Sequence, residues 1–80
     1  MQTWTVYILK CRDNTYYTGC TNNFDKRLLR HHNRHIHYTR NRLPVHLISK
    51  IVFWNKYKAY NFERYLKSGS GKAFMKRHLI

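Results

Sequence analysis

Tyr7, Tyr17, Arg27 and His31 have types and spacing that suggest chemistry. Each tyrosine lies in a β-prone run, and Tyr17 stands two residues before Gly19. Arg27 and His31 are four apart in a stretch of helical spacing, hence on one helix face. Two phenols, a guanidinium and an imidazole on three successive elements can converge on one phosphate. The planar guanidinium fork suits paired phosphate oxygens better than an ammonium does. Imidazole titrates near neutrality, so His31 can shuttle a proton or contact phosphate. Each residue also has a plainer role. Strand tyrosines are often half-buried packing, Arg27 and His31 can be solvated helix residues, and Gly19 can mark a bulge or a close backbone approach.

Acids are scarce, only three in all. Asp13 falls in a polar break, where Asp forms turns. Asp25 falls at a helix start, where negative charge suits the dipole. Glu63 has no such local role, lying mid-helix beside an apolar face marked by Phe62 and Leu66. A hard carboxylate oxygen there can bind Mg²⁺ or Mn²⁺ for phosphodiester cleavage. It can equally pair with Lys67 at i, i+4, worth about 0.2–0.5 kcal/mol on a helix surface. Spacing alone leaves both open.

The elements that must position these groups follow from hydrophobic period. The run Trp4-Thr5-Val6-Tyr7-Ile8-Leu9 and the run Thr15 to Thr21, joined through Arg12-Asp13-Asn14, predict an antiparallel hairpin. From Phe24 the spacing turns helical, with Leu28 and Leu29, and Asn22 or Asn23 serves as cap. Asn33 to Arg42 has no period and reads as a long basic loop. Val45 to Trp54, after Pro44, predicts a third strand beside the hairpin. Asn55 caps a helix from Lys56 to Lys67 with Ala59, Phe62 and Leu66 on one face. Gly69 is expected to end it, and Ser70 to cap a short helix over 71–79 with Phe74 and Met75 inward. The order β-β-α-β-α-α predicts an α+β fold, a three-stranded antiparallel sheet flanked by helices. For both tyrosines to share a sheet face, paired positions in the hairpin must sum to an even number, or a bulge must intervene.

Residues 1–80 are expected to form one domain, with a thin core to which the aromatics contribute heavily. Sixteen Lys and Arg give a net charge of +13, whose self-repulsion opposes compaction. A polyanionic partner, nucleic acid, is the simplest reason to carry such charge, and the basic loop is a candidate for backbone contact. No apolar run reaches the ~20 residues of a membrane span, and no signal peptide is visible, so a cytoplasmic protein is expected. Cys11 and Cys20 are expected as free thiols. The 2 Cys and 6 His do not suggest structural zinc, since eight residues separate the cysteines with no knuckle spacing.

The whole pattern resembles the GIY-YIG nuclease superfamily, and within it short stand-alone members similar to the N-terminal domain of the GIY-YIG-bearing excinuclease. The first motif reads Thr5-Val6-Tyr7, with Thr5 in place of glycine. The second reads Tyr17-Thr18-Gly19, with Thr18 in its middle. Arg27 and His31 stand at the family's helix positions, and Phe62-Glu63-Arg64-Tyr65-Leu66-Lys67 looks like its metal-binding helix. The resemblance implies single-metal hydrolysis of DNA phosphodiesters with Mg²⁺ or Mn²⁺ on Glu63. It implies Arg27 gripping the phosphate and Tyr7 activating or orienting the attacking water. Tyr17 would place water or phosphate, with His31 assisting. Tyr38 or Lys67 are candidates for a further polar contact. A positive, partly desolvated site is expected to lower the phenol of Tyr7 below its ordinary value near ~10. A protein partner would supply target specificity. The rival expectation is a non-catalytic, basic nucleic-acid-binding module, which needs only charge and aromatic surface.

Overall fold

The apolar run near the N-terminus becomes the middle strand, β1 (Trp4–Lys10), because both of its faces are covered. Residues 5 to 9 are all buried, so the run cannot alternate apolar with polar as a one-sided strand does. The computed structural model describes residues 2–80. β2 (Tyr16–Thr21) and β3 (His46–Phe53) pair antiparallel on either side of β1, giving the order β2-β1-β3. The third strand thus extends the sheet beyond β1 as the second edge.

The hairpin turn closes with Cys11 N–H donating to the Thr15 carbonyl at 2.8 Å. Asn14 takes the left-handed backbone the turn requires, φ 67°. Asp13 accepts from the Thr15 amide and hydroxyl, the turn role expected of it.

Three helices cover the two faces. α1 (Phe24–His32) starts at Asn23, whose side chain accepts from the Lys26 amide at 3.2 Å. Phe24 and Leu28 pack with Tyr7, Leu9 and Val45 on one face of the sheet. α2 (Lys56–Leu66) and α3 (Gly69–His78) cover the other, where Ala59, Leu66 and Met75 meet Val6, Ile8 and Cys20. The order is the expected β-β-α-β-α-α. Cys11 and Cys20 are free and belong to opposite layers.

The join between α2 and α3 corrects the sequence reading. Gly69 opens α3 instead of ending α2, and Ser68, not Ser70, is the cap, its Oγ accepting from Gly71 N–H at 3.2 Å. Backbone turns from Lys67 to Arg64 and from Ser68 to Tyr65 satisfy the last carbonyls of α2. No left-handed residue is therefore needed there. The glycine that matters is Gly71, where a Cβ would run into the Tyr65 carbonyl. Its absence lets α3 turn tightly against the end of α2.

Candidate active site

Pairing in the hairpin sets the site. Tyr7 lies opposite Gly19 and Leu9 opposite Tyr17, an even sum, so both phenols project from one face. The bulge in this sheet falls instead in the β1–β3 pair, between Ile8 and Leu9. The rings of Tyr7 and Tyr17 sit 6.0 Å apart, centre to centre. Gly19 is needed because the Tyr7 ring lies over it: an added Cβ would sit 2.5 Å from both Cζ and Oη. Of the two local roles open to Gly19, close approach is the one observed.

On α1, Phe24, Leu28 and His31 form a stripe toward this face, with Arg27 half-buried on the same side. His31 is fully buried. Its Nε2 meets the Tyr7 hydroxyl at 2.9 Å and its Nδ1 meets Thr39 Oγ1 at 2.7 Å. All three residues of this chain are fully buried, yet no buried side-chain N or O among the described residues lacks a partner. Tyr17 adds an edge contact to the imidazole, centroids 4.9 Å apart. Arg27 lies close enough to the Tyr7 hydroxyl to act on it by charge.

The electrostatics overturn one expectation and narrow another. Burial raises the Tyr7 pKa above the ordinary tyrosine value, and nearby Tyr17 adds to the rise. The charge of Arg27 opposes it and does not prevail, so Tyr7 stays a neutral phenol. His31 is pushed down to about 4, first by burial and then by the charge of Arg27. A neutral imidazole with both nitrogens bonded and no exposed surface is not placed to contact phosphate from solvent. It holds Tyr7.

Thr39 had no signal in the sequence beyond being a β-branched residue in a polar stretch. The stretch has neither helix nor strand, as expected, but it is anchored. Arg34 takes the left-handed position after α1, φ 64°. His35 N–H reaches the Arg30 carbonyl at 2.8 Å and Arg34 N–H the His31 carbonyl at 3.1 Å, a Schellman closure. Arg42 ties the far end to the hairpin turn through Asp13 Oδ2 at 3.3 Å and Thr15 Oγ1 at 3.1 Å. Between these anchors Thr39 is driven inward and Tyr38 lies beside Tyr17 at 5.5 Å.

Glu63 comes from the opposite layer. It sits on α2, against the face lined by Val6, Ile8 and Cys20, whereas the phenols occupy the other face. Its Oε2 pairs with Lys67 Nζ at 3.3 Å, the i, i+4 contact that spacing allowed. The two layers meet electrostatically at Cys20, on the edge strand β2. Burial pushes that thiol up, Glu63 pushes it further and Arg27 pulls it down. Both charged groups therefore act by charge on the same thiol. Among the described residues no three His, Cys, Asp or Glu side chains gather into a metal-holding group. A lone carboxylate with 18% of its side chain exposed suits a hydrated Mg²⁺, which keeps several waters and takes one or two carboxylates.

The GIY-YIG catalytic domain model matches residues 3–78. This chain belongs to the GIY-YIG family. A UPF0213 protein of Clostridium perfringens is 49% identical over 78% of this chain and 68% of its own length. One from Nitratidesulfovibrio vulgaris is 40% identical over 82% of this chain, which spans only 61% of that relative. The solution NMR structure of the UPF0213 protein BH0048 from Bacillus halodurans superposes with a TM-score of 0.61. It shares 33% identity and covers 94% of this chain and 83% of that one. In this GIY-YIG chain the two motif tyrosines, Tyr7 and Tyr17, are the pair brought side by side on one face of the sheet. The motif glycine Gly19 is the seat of the first. No helix among the described residues is long and apolar enough to cross a membrane.

Proposed function

We propose that this GIY-YIG domain is a metal-dependent endonuclease that hydrolyses DNA phosphodiesters, with the scissile phosphate at the β2 edge between Arg27 and Glu63. The observation that carries the reading is the buried chain Tyr7–His31–Thr39 with Arg27 beside its phenol. A sheet needs no such polar chain for stability, since well-packed apolar residues serve a core at least as well. The chain makes sense as a device that fixes Arg27 and Tyr7.

In this reading Arg27 grips the non-bridging oxygens with its fork. Tyr7, fully buried like His31, orients the guanidinium, does not itself meet the attacking water and is not a ready phenolate. Tyr17, partly exposed, places water or phosphate. Glu63 would hold Mg²⁺ or Mn²⁺ once it lets go of Lys67. Bound there, the cation supplies charge neutralisation on the phosphate and leaving oxygen. The net charge of +13 draws the polyanion in.

The Glu63–Lys67 pair also favours the second reading, a DNA-binding module without cleavage, because it leaves the carboxylate already occupied. Incubation with duplex, single-stranded and branched DNA and Mg²⁺ or Mn²⁺, beside Glu63→Ala, separates the two. Cleavage by the parent alone supports the nuclease. Binding without cleavage by either protein supports the module. Equal cleavage by both points to contamination and removes the assignment.

A further inference from the structure

A groove of about 460 Å³ opens beside the cluster of phenols, between the start of β2, the 33–45 segment and the α2–α3 corner. Tyr17 belongs both to this groove and to the ring cluster around His31. Tyr16 and Tyr38 edge it, each more than a third exposed. Leu66 and Met75 give it an apolar wall from the other layer. Three cations line it, Lys67, Lys72 and Lys76, and none of the three acids does.

Three features of the groove point to one ligand chemistry. Its size is that of a site for a single drug-sized ligand, roughly 300–1,000 Å³. Its exposed aromatic rings against an apolar wall suit a flat, weakly polar body, which can pack on a phenol whatever its edge pattern. Its lysines require that body to carry negative charge beside it. A nucleobase on its sugar-phosphate strand meets all three conditions. A base still paired in a duplex does not, because it cannot enter a groove of this width without leaving its stack.

We infer that this groove holds one unpaired nucleobase of a DNA strand, with Lys72 and Lys76 against the neighbouring phosphates. Lys67 links the groove to Glu63, since the same ammonium lines one and pairs with the other at 3.3 Å. A phosphate arriving beside the base offers Lys67 a second anionic partner and frees the carboxylate. The inference rests on the nuclease reading for its purpose: the base so held selects strands that are single, flapped or locally open at the point of cutting.

The test separates binding from cleavage. Binding is measured in a chelator with an oligonucleotide carrying 2-aminopurine, either single-stranded or in a duplex. The single strand is expected to bind more tightly, with its fluorescence quenched on contact with the rings. Tyr38→Ala is expected to weaken that binding roughly tenfold or more, and Tyr38→Phe to restore it, because the ring and not the hydroxyl packs on the base. Tyr38 is 39% exposed, so the alanine variant is expected to fold, which far-UV circular dichroism checks. Lys72→Ala is expected to reduce the salt dependence of binding by about one phosphate contact. Equal affinity for single strand and duplex, or no effect of a folded Tyr38→Ala, overturns the inference. Absence of cleavage with any metal, while single-strand binding and the Tyr38 effect persist, removes the nuclease reading and leaves the groove standing.

Discussion

The two faces of the sheet are built by different rules. The face under α2 and α3 is apolar packing, with Val6 and Ile8 against Ala59 and Leu66 and a border of aromatic rings. The face under α1 buries a tyrosine, a histidine and a threonine in one hydrogen-bonded chain. The first kind of face tolerates volume-conserving changes, because any well-filled apolar arrangement serves. The second is all-or-none, because each polar member left without its partner carries its full desolvation cost. The charged groups, Arg27 on α1 and Glu63 on α2, come one from each layer, and both act by charge on Cys20 of the edge strand β2. In the proposed reading the buried groups orient and the charged groups act.

The contrast breaks most visibly at His31. His31→Ala strands the Tyr7 hydroxyl and Thr39 Oγ1 and leaves a cavity, with an expected loss on the order of 3 kcal/mol or more in urea unfolding. The same residue gives the domain a pH response. The unfolded chain protonates this imidazole near pH 6.5 and the folded one only at about 4. Between those values the unfolded state takes up the extra proton, so stability falls as pH drops through the window and levels off below it. The expected change is about 3 kcal/mol, and comparing the parent with His31→Gln across pH 4–7 isolates it. A wild-type slope unchanged by the substitution would show that the imidazole is not locked neutral.

Gly19→Ala drives a methyl group into the Tyr7 ring and is expected to cost about 1–3 kcal/mol. It should also lower cleavage more than DNA binding, because the displaced phenol no longer fixes Arg27. Thr39→Val leaves Nδ1 without a partner and is expected to cost about 1–3 kcal/mol, with Thr39→Ser recovering most of it. The ¹⁵N shifts of His31 report whether the tautomer changes with it. The smallest effect sharpens the contrast from the other side. Glu63→Gln removes only a partly exposed ion pair and is expected to change stability by about 0.2–0.5 kcal/mol. Any large loss of folding there would mean that Glu63 is structural and not a ligand held in reserve.

Much of this was legible in the chain. The element order followed from period, since a strand alternates by two and a helix repeats near 3.6, and composition alone marks each change. The caps at Asn23 and Asn55 and the turn at Asp13 are local chemistry, settled by side chains within three residues of the backbone they bond. Arg27 and His31 shared a face for the same local reason. The end of α2 at Lys67 was right to within a residue, but the start of α3 was misplaced, because a glycine stop and a serine restart look alike in sequence. Which serves depends on how tightly α3 must lie against Tyr65.

What the sequence could not reveal is non-local. The even pairing of Tyr7 with Gly19 depends on how a five-residue turn closes. The inward placement of Thr39 depends on anchors at Arg34 and Arg42 that bring a polar stretch back over the sheet. Charge signs and residue types were written in the chain. Whether a phenol ionises was not, because that balance is struck between burial and one guanidinium, and only the folded packing sets how deep the phenol lies.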